Sequence, residues 1–92
     1  MERDPVSSRA HEEILATITE IVAAELGVPA AQLAPQRDLR EVEGADSVKI
    51  LRSVAKIERR YDIEMDDDDV FSLRCLDDAA AVIAKTLAQS RA

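Results

Sequence analysis

Aromatic side chains are nearly missing from this chain: Tyr61 and Phe71 stand alone, and there is no tryptophan. Any core must therefore be aliphatic, and 92 residues leave room for one domain with one modest core. Two glycines and three prolines are too few for the turns of an all-β fold. Cys75 is the single cysteine, which excludes an internal disulfide framework and suits a small buried hydrophobe. No apolar run near the start resembles a signal peptide, and none is long enough to span a bilayer, so the cytoplasm is the expected location. Basic residues are in deficit, 12 against 19 acids, and the net charge is −7. That balance argues against nonspecific nucleic-acid binding and against an anionic membrane surface. Basic proteins, or enzymes with basic patches around their active sites, are the natural partners.

What is present is helical periodicity. Residues 1–7 are polar, contain Pro5, and are expected to be a flexible N-terminus before a domain over 8–90. Ser7 or Ser8 is placed to cap a first helix ending near Leu26, with Ile14, Leu15, Ile18, Ile21, Val22 and Leu26 at helical spacing. Gly27 suits the left-handed residue that ends it. A long loop from Val28 to Asp46 follows, with room for a single helical turn at Ala30–Gln32 and with Val28, Leu33, Leu39 and Val42 as its apolar pins. Loops of this length are often functional. A second helix is expected from Asp46 or Ser47 to Tyr61, burying Ile50, Leu51, Val54, Ile57 and Tyr61, the first four against Ile14, Ile18 and Val22. Asp66–Asp69 opens a short third helix through Val70 and Phe71. A last helix begins near Asp77 and Asp78, buries Ala79, Ala80, Ile83 and Leu87, and ends near Gln89. The fold class is all-α: three main helices and one short one.

The segment Gly44-Ala45-Asp46-Ser47-Val48 carries the most information. Two small residues, an acid and a hydroxyl stand at the entry to an amphipathic helix. A phosphodiester built on Ser47 would lie beside unpaired N–H groups at the positive end of the helix dipole. A serine at such a place is ordinarily a cap, but here Asp46 can take that role and leave the Ser47 hydroxyl free.

This segment resembles the G-x-D-S motif of the acyl carrier proteins. The similarity extends upstream through Val28…Leu33-Ala34-Pro35…Leu39. Downstream it covers Ile57-Glu58-Arg59-Arg60-Tyr61-Asp62-Ile63-Glu64-Met65, then Asp67-Asp68-Asp69-Val70-Phe71 and Leu76-Asp77-Asp78-Ala79. It spans roughly Ser8 to Ala88 without a gap between Ser47 and Ala79. The resemblance implies an acyl-carrier-like bundle in which Ser47 carries a 4′-phosphopantetheine arm. A separate Mg²⁺-dependent phosphopantetheinyl transferase would supply that arm from coenzyme A. Acyl groups would ride as thioesters on its terminal thiol, in fatty-acid or polyketide-type biosynthesis. The implied partners are that transferase, an acyl-loading ligase or acyltransferase, and a ketosynthase or other acyl-processing enzyme, serving a carrier expected to be a monomer. The family also often admits an acyl chain between its helices.

Two departures stand out. Glu43 occupies the place before the motif glycine that is usually leucine, with Val42 one position earlier. The second helix, usually acidic on its exposed face, carries Lys49, Arg52, Lys56, Arg59 and Arg60. Val48 and Ala55, on the side next to Ser47, read as an apolar docking spot. Lys49, Arg52, Lys56 and Arg59 frame it for the partner enzymes.

Other candidates fall away. Asp62, Glu64, Asp66 and Asp68 alternate like a calcium loop, but its sixth and twelfth positions hold Asp67 and Leu73 instead of glycine and glutamate. His11 reads as an exposed surface residue and joins no triad or metal set, so neither catalytic residues nor a metal are expected. An aminoacyl or peptidyl carrier shares the fold, although Ala45 stands where those carriers usually have a second glycine. A helical adaptor without a prosthetic group is the rival of another class.

Overall fold

The computed structural model describes residues 5–90. It contains α1 (Pro5–Leu26), α2 (Ser47–Tyr61), α3 (Asp67–Ser72) and α4 (Leu76–Ser90), with single 3-10 turns at Ala30–Gln32 and Leu39–Glu41 in the long loop. No strand occurs among the described residues, and none of the helices is long and apolar enough to cross a membrane. Of the segment expected to be flexible, residues 1–4 lie outside the described residues, whereas Pro5 already opens α1. Proline suits a first helical turn, because its fixed φ is helical and its missing N–H would have had no partner there.

α1 is the organising element and packs against both α2 and α4. Its Ile14, Ile18, Val22 and Leu26 meet Val54 and Ile57 of α2 and Leu76, Ala79, Ala80 and Ile83 of α4 in one aliphatic core. Gly27, at φ +73°, turns the chain out of α1. The Gly27 and Val28 amides both donate to the Ala23 carbonyl, which closes the helix end.

The long loop is pinned at both its apolar and its polar points. Leu33, Leu39 and Val42 are buried. The Leu39 amide donates to the Arg74 carbonyl at 2.8 Å, and the Asp77 amide donates to the Pro35 carbonyl at 3.0 Å. The loop is thereby tied to the α3–α4 connection. Val42 takes the buried place while Glu43 stays exposed, so Val42 is the apolar anchor just before the Gly44 turn. After α2, Asp62 adopts the left-handed conformation at φ 57°. The Glu58 carboxylate then reaches forward to accept the Met65 amide at 2.8 Å, which fixes the approach to α3.

Three expectations are corrected. Leu51 is 52% exposed, whereas Val54 and Ile57 of the same helix are buried and Ile50 and Tyr61 are half-buried. At 3.6 residues per turn Leu51 lies about 90° round from the axis of Ile50, Val54 and Ile57. Ser53, on the other flank, takes the buried place instead, at 2% exposure. His11 is half-buried rather than exposed, with Nε2 2.9 Å from Asp77 Oδ1 across the α1–α4 contact. Cys75 is likewise half-buried, because the turn it occupies lies just before α4 at the rim of the core.

Candidate functional site

Gly44 sits at φ +89°, and a Cβ there would stand 3.2 Å from the Leu26 carbonyl oxygen. The turn into α2 therefore requires glycine twice over, for its backbone conformation and for its close approach to the end of α1. Beyond it, Asp46 is extended and its side chain accepts the Lys49 amide at 2.8 Å, capping α2. Ser47, the first residue of the helix, is exposed, and among the described residues its hydroxyl has no hydrogen-bond partner. An oxygen in that position is free to become an ester. Its place at the helix N-terminus favours a negatively charged substituent.

Beside Ser47 runs a groove of about 310 Å³ between α2 and α3, walled by Ala45, Ile50, Leu51, Val70 and Leu73. Arg40 and Asp46 provide its charged lining. Arg40 is itself held by Asp38, with Nη2 3.2 Å from Oδ2, and this guanidinium keeps the Asp38 carboxyl below the usual carboxylate range. An unbonded hydroxyl at the mouth of an apolar groove fits a covalently attached, partly apolar group.

The other expected site residues all lie along α2. Val48 is 62% exposed, and Ala55, Arg52, Lys56 and Arg59 are also exposed, whereas Lys49 is half-buried. Sequence reasoning missed that Leu51 belongs with Val48 and Ala55: the spacing i, i+3, i+7 places the three on one exposed strip. It also missed Glu25. This α1 carboxylate, its side chain only 9% exposed, lies 2.6 Å from Lys56 Nζ and 3.3 Å from Arg52 Nε. The Lys56 hydrogen bond, and then the charges of Lys56, Arg52 and Lys49, hold Glu25 below the ordinary carboxylate range. Part of the basic face of α2 is therefore neutralised within the molecule. No local signal announces such a pair, because its members are far apart in the chain. Among the described residues, no cluster of His, Cys, Asp and Glu is arranged to hold a metal ion.

Residues 16–83 match the family described as "Phosphopantetheine attachment site". The chain is 30% identical over 76 residues to an acyl carrier protein of Exiguobacterium sp., covering 83% of this chain and 96% of that one. The chain belongs to the acyl carrier protein family. An acyl carrier protein of Syntrophobacter fumaroxidans is 32% identical over 71 residues, 77% of this chain and 88% of that one. The fold agrees with two solved structures. The acyl carrier protein of Enterococcus faecalis superposes with a TM-score of 0.69 at 22% identity, over 84% of this chain and 98% of that one. The holo acyl carrier protein of Geobacter metallireducens gives 0.72 at 19%, over 84% and 88%. Members of this family are carriers, and the prosthetic group that goes with the matched domain is a covalently attached 4′-phosphopantetheine.

Proposed function

We propose that residues 8–90 form a cytoplasmic acyl carrier domain serving fatty-acid or polyketide-type biosynthesis, with the 4′-phosphopantetheine joined to Ser47 Oγ. The observation that carries the assignment is the division of labour at the start of α2. Asp46 caps the helix, so the Ser47 hydroxyl is exposed and uncommitted beside an apolar groove. Bound there, the arm supplies a terminal thiol that holds acyl groups as thioesters.

The chain's own residues present and protect. Gly44 and Ala45 keep the approach to the hydroxyl free of bulk, and the α2 N-terminus favours the phosphodiester charge. Ile50, Leu51, Val70 and Leu73 offer an apolar wall to the arm or its cargo. Partner enzymes meet the strip of Val48, Leu51 and Ala55, framed by Lys49, Arg52, Lys56 and Arg59. These partners are the phosphopantetheinyl transferase, the loading ligase or acyltransferase, and the ketosynthase or other acyl-processing enzymes, each engaging a monomeric carrier. Because Glu25 already satisfies part of the charge on Arg52 and Lys56, Arg59 is the cation beside that strip with the most to offer a partner.

The test is to isolate the protein from its own cells and fragment it intact in a mass spectrometer. The reading requires an acyl group released by hydroxylamine and mapped through the arm to Ser47. Protein that is wholly unmodified at Ser47, or that bears an aminoacyl group, would contradict it.

A further inference from the structure

Adjoining the Ser47 groove is a second, smaller and partly open cavity of about 70 Å³, walled by Val22, Leu39, Val54, Ile57 and Leu76. Arg40, Ile50 and Leu73 line both spaces, and Ile50 and Leu73 are only half-buried. Ile50 and Leu73 are therefore an apolar wall common to groove and cavity. A void of this size holds more than one non-hydrogen atom, since a single water needs about 10–15 Å³ on the same measure.

One wall residue is out of character. Ser53, 2% exposed, is the only polar residue in the buried set among the described residues, and it lines this cavity. Its hydroxyl donates to the Lys49 carbonyl of its own helix at 3.0 Å. The donor is thereby used, while the oxygen's lone pairs have no partner among the described residues. Such back-bonding does little for a helix, and an under-satisfied hydroxyl in an apolar wall is a liability that alanine would remove. The arrangement gains a purpose if the guest in the cavity brings a hydrogen-bond donor.

We propose that Ser53 is a specificity-determining residue for the cargo, accepting a hydrogen bond from a hydroxyl on an acyl chain that enters past Ile50 and Leu73. This inference rests on the carrier reading above. It adds the chemical class of the chain: a hydroxylated acyl group is held in preference to a saturated one of the same length.

The experiment loads Ser47 with octanoyl-4′-phosphopantetheine and, separately, with the isomeric monohydroxyoctanoyl forms, using the corresponding acyl-coenzyme A thioesters and a broad-specificity transferase that releases 3′,5′-ADP. The readouts are the melting temperature and the Ser53 and Leu73 amide shifts, in wild type and in Ser53→Ala. In wild type, at least one hydroxylated isomer should raise Tm above the octanoyl form by about 4–8 °C, the worth of one net hydrogen bond in a domain of this size. The Ser53 amide should shift with it. In Ser53→Ala, which removes the acceptor without adding volume, the difference should vanish and the octanoyl form should gain. A preference that survives in Ser53→Ala, or no preference in wild type, would overturn the assignment while leaving the carrier reading intact. Failure of every analogue to load on Ser47 would instead bring down the carrier reading, and this role with it.

Discussion

The rotation of α2 decides which side chains build the core and which face a partner, and a pair of truncations tests it. Ile57 is 4% exposed, belongs to the central cluster and borders the small cavity. Cutting it to alanine removes buried apolar volume and enlarges a void that the surrounding residues already fail to fill. Substitutions of this kind cost about 2–5 kcal/mol. A domain of this size loses about 4–8 °C of Tm per kcal/mol, so Ile57→Ala should melt at least about 8 °C below wild type. Leu51 is the same size but more than half exposed, and its truncation removes only groove surface. Leu51→Ala should stay within about 0.5 kcal/mol of wild type, the range of ordinary surface substitutions. Thermal melts followed by circular dichroism, with urea titrations to confirm an unchanged slope, separate the two. Equal losses would mean that α2 is turned toward Leu51, and that the exposed strip with Val48 and Ala55 does not exist.

Gly44→Ala should cost about 1–3 kcal/mol in the same melts, since an L-residue is strained at that positive φ and its Cβ presses on the Leu26 carbonyl; an unchanged Tm would mean that the turn has another shape. At Asp62, already left-handed, substitution by glycine should leave stability unchanged or raise it by up to about 1 kcal/mol, whereas Asp62→Val should lower it; equal melting of the two variants would contradict the cap. Glu25 has its folded pKa depressed below 4.5, first by the Lys56 hydrogen bond, so its contribution is present above the unfolded value and lost as pH falls through the folded one. The stability gap between wild type and Glu25→Gln should therefore be constant from neutrality to about pH 5 and close at lower pH; a gap that widens on acidification would have the wrong sign.

Much of this fold could be read from spacing because each helix carries its own punctuation. Gly27 ends α1, Asp46 opens α2, and acids crowd the start of α3. The apolar residues of α1 and α4 recur at intervals that fix the buried face. The loop's apolar pins were also legible, including Val42, because in a polar stretch an aliphatic residue has one reason to be there. Leu51 misled because residue type and angular position disagreed: leucine is a core residue by habit, but this one lies a quarter-turn from the stripe. Ser53 misled in the opposite direction, since nothing local marks a serine as buried. The partners of Glu25 and His11 were invisible for a different reason. Arg52, Lys56 and Asp77 approach them only once α1 has packed against α2 and α4, and charge alone does not say which of many ions will pair. At the candidate site, the capping of α2 by Asp46 and the exposure of Ser47 were legible from five consecutive residues. The groove was not, because its walls come from three separated segments.

We propose Ser47 Oγ as the point at which the prosthetic group is attached. The most direct measurement is the intact mass of wild type and Ser47→Ala after incubation with coenzyme A, Mg²⁺ and a broad-specificity phosphopantetheinyl transferase. Circular dichroism should first show both proteins equally helical, because Asp46 rather than Ser47 caps α2. Wild type should then gain the mass of one phosphopantetheine, localised to Ser47 by fragmentation, and Ser47→Ala should gain none. A folded Ser47→Ala that still gains the arm, or a wild type that refuses it from a panel of transferases, would rule out Ser47 as the attachment point.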